Sequence, residues 1–161
     1  MSEPSTRAQA LIQQLQLHPH PEGGWYREVF RSRSEVQTAD DRATRRTLTT
    51  IDFLLEAGQF SAWHRVRSDE VWHLLEGQQL TLWLIAPAGG AAQQVTLSAA
   101  LPRRHVVPAD WWQAAEPGAD FAYVGATVAP GFDFADFGFG REHADFVAAL
   151  RQHHPQLLRL L

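Results

Sequence analysis

An all-β sandwich or barrel, framed by a short helix at each end, is the fold class the sequence predicts. Three observations predict it: about eight short runs rich in aromatic and β-branched residues, Gly and Pro punctuation between many of them, and helical apolar spacing confined to the two ends. At 161 residues and 45% hydrophobic composition the chain can bury one sizeable core, so a single domain is expected over 1–161.

The N-terminal helix is expected over 5–17, where Ala8, Leu11, Ile12 and Leu15 recur at helical spacing and Ser5 is a suitable cap. His18-Pro19-His20-Pro21 ends it, since proline cannot continue a helix. Strands are expected at 25–30, 47–55, 60–66, 70–75, 80–86, 95–98, 104–107 and 121–128, within a barrel spanning 22–137. Gly58, Gly77, Pro87, Gly89-Gly90, Pro102, Pro108, Pro117-Gly118 and Pro130-Gly131 separate them. The charged stretch 32–46 reads as a solvated loop. Phe146, Val147 and Leu150 stand at helical spacing in a C-terminal helical segment expected over 140–161.

The composition excludes whole chemistries. The sequence has no Cys, Lys or Asn, and all 14 basic residues are Arg. Disulfides, thiolate metal sites, Cys nucleophiles, Lys Schiff bases and a Lys-containing phosphate loop are therefore ruled out. The joint loss of Lys and Asn reads as a base-composition bias in the coding sequence. A net charge of −4, with Arg scattered among the acids, argues against nucleic acid as a partner. No apolar run approaches the roughly 20 residues of a membrane span, and the first 17 residues lack a secretory apolar core, so a cytoplasmic protein is expected.

The densest segment, GQFSAWHRVRSDEVWHLLEG, runs from Gly58 to Gly77. Alternation puts Phe60, Ala62, His64 and Val66 on one face and Ser61, Trp63 and Arg65 on the other. Further on, Glu70 shares a face with Trp72 and Leu74, and His73 points the opposite way. Trp111 shares a face with Gln113, which places Trp111 inside and Trp112 outside or at a dimer contact.

The Gly58–Gly77 spacing resembles the first motif of the cupin superfamily, with Gly58, His64, Glu70 and Gly77 on its frame and Val66 where the family has a second His. A later segment resembles the second motif, with Asp110 at its Gly and Gln113 at its single His. The strings HPHPEGGWYREVFRS, FSAWHRVRSDEVWH, VVPADWWQAA and TVAPGFDFADF, together spanning most of the chain, resemble one small cupin family, cupin type five, a domain of unknown function. That resemblance implies an RmlC-like double-stranded β-helix, or jelly-roll barrel, often paired as a homodimer. It implies little about the reaction.

If a metal is bound, His64, Glu70 and Gln113 are the candidate ligands: one imidazole, one carboxylate and one amide oxygen. Catalytic first-row metals normally keep three good protein ligands, so tight metal binding is not expected. Without metal, a carboxylate beside an imidazole fixes its tautomer and raises its basicity, so His64 and Glu70 are candidates for catalysis, His64 as general base. Phe60, Trp72 and Trp111 would supply aromatic walls, and Gln113 a hydrogen bond, for a small ligand. The same two residues also suit a buried pair in a barrel without chemistry.

Tyr26 and Arg27, after Gly23-Gly24, are the remaining ligand-binding candidates. Arg27 offers a forked donor for carboxylate or phosphate, or is a solvated residue on an edge strand, and alternation keeps it and Tyr26 from both pointing inward. Asp133-Phe134-Ala135-Asp136-Phe137 reads as packing over the barrel mouth, with its two acids available to the pocket otherwise. His18, His20, His153 and His154, beside Pro or near the ends, receive no role. The reading favoured is a small-molecule-binding protein, or a metal-independent isomerase- or epimerase-like enzyme, acting on a sugar-like or other polar metabolite. A metal-dependent oxygenase or isomerase and a non-catalytic sensor or structural dimer stay open.

Overall fold

The computed structural model describes residues 6–161. Helix α1 (Thr6–Gln14) leads into β1 (His18–Pro19) and β2 (Trp25–Arg31). A two-stranded ladder of β3 (Glu35–Val36) and β4 (Arg45–Arg46) precedes β5 (Thr49–Leu55), β6 (Ser61–Val66), β7 (Asp69–Gly77), β8 (Gln79–Ile85) and β9 (Gln93–Ser98). Next come β10 (Arg104–Val107), β11 (Trp112–Pro117), β12 (Ala122–Ala129) and β13 (Phe137–Phe139), and then α2 (Ala144–His153). Every ladder is antiparallel, in one sheet of order β1-β2-β5-β12-β7-β10 and another of order β13-β6-β11-β8-β9.

Period-two alternation builds the barrel. Along β7, Glu70, Trp72 and Leu74 are buried, and along β12, Ala122, Val124, Ala126 and Val128 are, with the residues between them facing away. The main core joins both sheets: Phe53, Trp72 and Val124 from the first pack with Leu80, Leu82, Leu84, Leu97 and Ala115 from the second. Each such side chain removed from water contributes about 1.5–3 kcal/mol. Both helices cover outer faces. Ala8 and Leu11 of α1 seal Leu54 and Phe121, and Phe146 and Leu150 of α2 close over Trp63 and Trp112.

The end segments depart from the sequence expectation. Helix α1 stops at Gln14 because the chain turns through Gln16 at φ 54 to bury Leu17, and the cap assigned to Ser5 lies outside the described residues. The stretch 32–46 holds the β3–β4 ladder and is pinned from within: Arg42 and Arg45 both reach the buried Asp136 carboxylate. The C-terminal segment is α2 between short 3-10 turns, Gly140–Glu142 and Pro155–Leu160, the latter placing Leu157 and Leu160 in the outer cluster. No described helix is long and apolar enough to cross a membrane.

Because Leu150 is 1% exposed within that cluster, replacing it with Ala is expected to cost about 2–5 kcal/mol. Denaturant unfolding of Leu150→Ala checks this, and a loss below about 1 kcal/mol would mean that α2 is not part of the cooperative unit.

Candidate functional site

A β-bulge sets the phase of the site. In the β6–β11 ladder His64 pairs with Gln113 but Ser61 pairs with Ala115, so β6 carries one residue more than its partner between these pairs. The extra residue turns Ser61 to the same interior side as His64, against the strict alternation expected, and Trp63 stays outside, donating its indole N–H to the Leu157 carbonyl at 3.1 Å. Phe60, expected as a pocket wall, instead packs against the outer cluster around Trp63.

The interior holds a cavity of about 510 Å³. Its closed end gathers His64 and Val66 from β6, Glu70 from β7, and His20 and Glu22 from the β1–β2 connection. Glu22 arrives because Gly23, at φ +110, lies so close to β6 that a Cβ there would strike the Phe60 carbonyl oxygen, while the Glu22 carbonyl accepts from the Ala62 N–H at 2.8 Å. Its side chain then lies with Oε2 3.2 Å from Nε2 of His64.

Hydrogen bonds fix both imidazoles. His64 Nδ1 lies 2.7 Å from the Ala62 carbonyl, which only accepts, so Nδ1 carries a proton and Nε2 faces Glu22. His20 Nδ1 accepts from the Glu22 N–H at 3.0 Å, which leaves its proton on Nε2. Burial dominates the titration of all four groups. It lowers His64, against the pull of Glu70 and the Ala62 carbonyl, and lowers His20, helped by His64 and opposed by Glu22. It raises Glu22, and pushes Glu70 up to about 7, with His64 and Gln113 opposing that rise and Glu22 adding to it.

Behind Glu70 lies a second buried chain. The Trp72 indole N–H donates to Gln113 Oε1 at 2.8 Å, and Gln113 Nε2 donates to Glu70 Oε2 at 2.7 Å. Trp72 and Gln113, expected to line the ligand space, thus stand behind its wall, and Trp111 packs against the main core rather than the cavity.

At the mouth, Tyr26 and Arg27 both line the cavity. Tyr26 packs inward against the core, where its ring meets His20 edge-on at 4.4 Å, and Arg27 lies at the rim, donating through one nitrogen to the Leu15 carbonyl and Gln16 Oε1. Glu28 and Arg31 form a bidentate pair there. Phe132, Phe134 and Phe137 make an edge-to-face lid, with Phe137 also stacked on His64 at 5.3 Å. Asp133 lines the mouth, whereas Asp136 is withdrawn: burial would raise it, but Arg45 and Arg42 overcome that and hold it low. Glu22 and His20 are what sequence reasoning missed. The available signal was the Gly pair, which permits close backbone approach.

Residues 9–140 match the family model described as Cupin superfamily (DUF985). The chain belongs to that family. A hypothetical protein from Leishmania major is 30% identical with a TM-score of 0.80, each chain covered to 95%. Protein SO0799 from Shewanella oneidensis is 33% identical with a TM-score of 0.78, covering 95% of this chain and 96% of that one. Oxalate decarboxylase from Lactobacillus farciminis, 16% identical with a TM-score of 0.60, shares the fold over 90% of this chain and 41% of its own. A search of curated proteins gives no match.

Metal-binding cupins raise the question of whether these side chains fit a metal. Gln113 Oε1, the one atom of that amide suited to coordination, faces the Trp72 N–H and not the cavity, and Val66 offers no donor. Among the described residues no three His, Asp or Glu side chains form a group that could hold a metal ion.

Glu70 carries a stability signature. Its pKa near 7 exceeds the ordinary 4.5, so the folded state keeps a proton that the unfolded chain releases. That contribution is complete below about pH 4.5 and is lost as pH rises through about 7. Glu70→Gln keeps an acceptor for Gln113 and removes the titration. Its melting temperature is expected to rise relative to wild type as pH increases across that interval, each kcal/mol being worth about 2–4 °C at this size. A difference that does not change with pH would refute the assignment.

Proposed function

We propose that this cupin binds a small polar, sugar-like metabolite and moves a proton on it without a metal, in the manner of an isomerase or epimerase. The observation that carries this reading is the coupled pair of Glu22 and His64, 3.2 Å apart at the closed end of the cavity, with Glu70 beside them. The proton on His64 Nδ1 is committed to the Ala62 carbonyl, so the pair takes up its next proton between Nε2 and the Glu22 carboxylate, where both share it. Burial disfavours the negative form of that pair, which raises its affinity for a proton and so its strength as a base.

Glu70, titrating near 7, is available as an acid at the same pH. The base removes a proton from carbon next to a carbonyl, Glu70 delivers one to the carbonyl oxygen, and an enediol results. The carbon that loses the proton bears a hydroxyl. If the proton returns to the other face of that carbon and Glu70 regains its proton from the same oxygen, an epimerisation results. If it goes to the former carbonyl carbon and Glu70 regains its proton from the neighbouring hydroxyl, an isomerisation results; either way the protein is unchanged. Apolar walls from Ile51, Val66, Ala126 and Val128 support the reading by limiting water around the exchanged proton.

Metabolites extracted from untagged purified protein and identified by mass spectrometry supply the substrate for a deuterium-exchange assay. His64→Ala is expected to slow solvent deuterium incorporation by about 100-fold or more, the range of a positioned general base. Exchange unaffected by His64→Ala, or stoichiometric metal in the purified protein, would overturn the metal-independent base.

A further inference from the structure

The hydrogen-bond chain behind Glu70 has a fixed direction. An indole N–H only donates, so Trp72 forces the amide oxygen of Gln113 to face it, and the amide NH₂ must then face Glu70. Glu70 Oε2 is consequently an acceptor whether or not the carboxyl is protonated. Oε1 makes no hydrogen bond among the described residues, yet the only sealed side-chain polar atom without a partner among them is Ser61 Oγ. Oε1 is therefore the oxygen that opens on the cavity, and the acid proton belongs there.

We infer that Trp72 and Gln113 are positioning residues that orient Glu70 to donate, through Oε1, to a carbonyl oxygen of the ligand, selecting a neutral hydroxycarbonyl compound over a simple polyol. The inference rests on the acid–base reading of this cavity. Only Glu22 and His64 among titratable groups influence Glu70, and Val107 and Val128, its partners on the two neighbouring strands, carry no charge. No guanidinium faces this acid, and of the two groups only His64 favours its ionisation. The chain is costly to cut in its middle: removing Gln113 alone strands both the Trp72 N–H and Glu70 Oε2, whereas removing Trp72 as well leaves only Oε2 without its donor.

The test uses protein labelled with carboxyl-¹³C glutamate, the Glu70 signal being assigned by its loss in Glu70→Gln. In Gln113→Leu and in the double variant Trp72→Phe/Gln113→Leu, loss of the amide donor is expected to move the Glu70 titration upward by about one unit. The double variant should recover part of the stability lost in Gln113→Leu, because the stranded indole N–H is gone, without restoring the titration, a split that a merely structural role would not produce. Dihydroxyacetone is expected to shift the wild-type Glu70 signal at neutral pH, and glycerol to leave it in place. An unmoved titration overturns the positioning role, and a response to both probes or to neither overturns the ligand class. Neither readout needs turnover, so their failure is distinguishable from failure of the base assigned to His64, which the deuterium assay decides.

Discussion

Burying carboxylates without a cation is the constraint around which the interior is arranged. A carboxylate taken out of water must be neutralised, paired or hydrogen-bonded, because its solvation is otherwise lost outright. This chain solves the problem in two ways a short distance apart. Asp136 is 4% exposed and is answered by two guanidinium groups, Arg45 bidentate at 2.9 Å and Arg42 at 3.3 Å, so it stays ionised and ties the 32–46 segment to the lid. Glu22 and Glu70, equally withdrawn, receive no Arg, and burial raises both. One arrangement makes a fastener and the other a pair of carboxyls that burial pushes toward the protonated form, from the same functional group.

The contrast follows from where arginine can reach. All basic side chains here are Arg, whose planar fork suits a bidentate carboxylate and whose charge cannot be given up. Such a residue at the closed end would hold Glu70 ionised and end its usefulness as an acid. The guanidinium groups instead occupy the mouth, where Arg31 is matched by Glu28 and Arg27 rests on the end of α1. Polarity at the closed end comes from imidazole, amide and indole, all of which stay neutral beside a protonated carboxyl. The missing lysine and cysteine thus narrow the chemistry less than the placement of the arginines does.

Regular alternation was legible in the sequence, and departures from it were not. The burial of Glu70, Trp72 and Leu74 on one side of β7 follows from period two alone, as does the division of Trp111 from Trp112. Ser61 and Phe60 defeated the same rule because a bulge adds one residue to β6, and a bulge is a property of the pairing between two strands rather than of either sequence. Glu22 was illegible for a different reason. It sits outside any strand, and only the contact between Gly23 and the Phe60 carbonyl, a long-range event, carries it against His64. Residues assigned from the family motif, His64 and Glu70, line the same cavity, while the carboxylate beside His64 comes from a loop the motif does not include.

Gln113 shows how a single exchange propagates through a barrel. An imidazole at that position has two nitrogens that can divide between a neighbour and the cavity, whereas this amide is held in one orientation by a bond at each end. Trp72 commits the oxygen and Glu70 takes the NH₂, so the polarity of the carboxyl is decided by an indole in the core that never meets the ligand space. The aromatic core and the acid are then parts of one hydrogen-bonded unit. A substitution at Trp72 that preserved packing alone would keep the fold and still release Gln113 to turn, which is why the core of this cupin cannot be treated as inert support for the buried polar groups beside it.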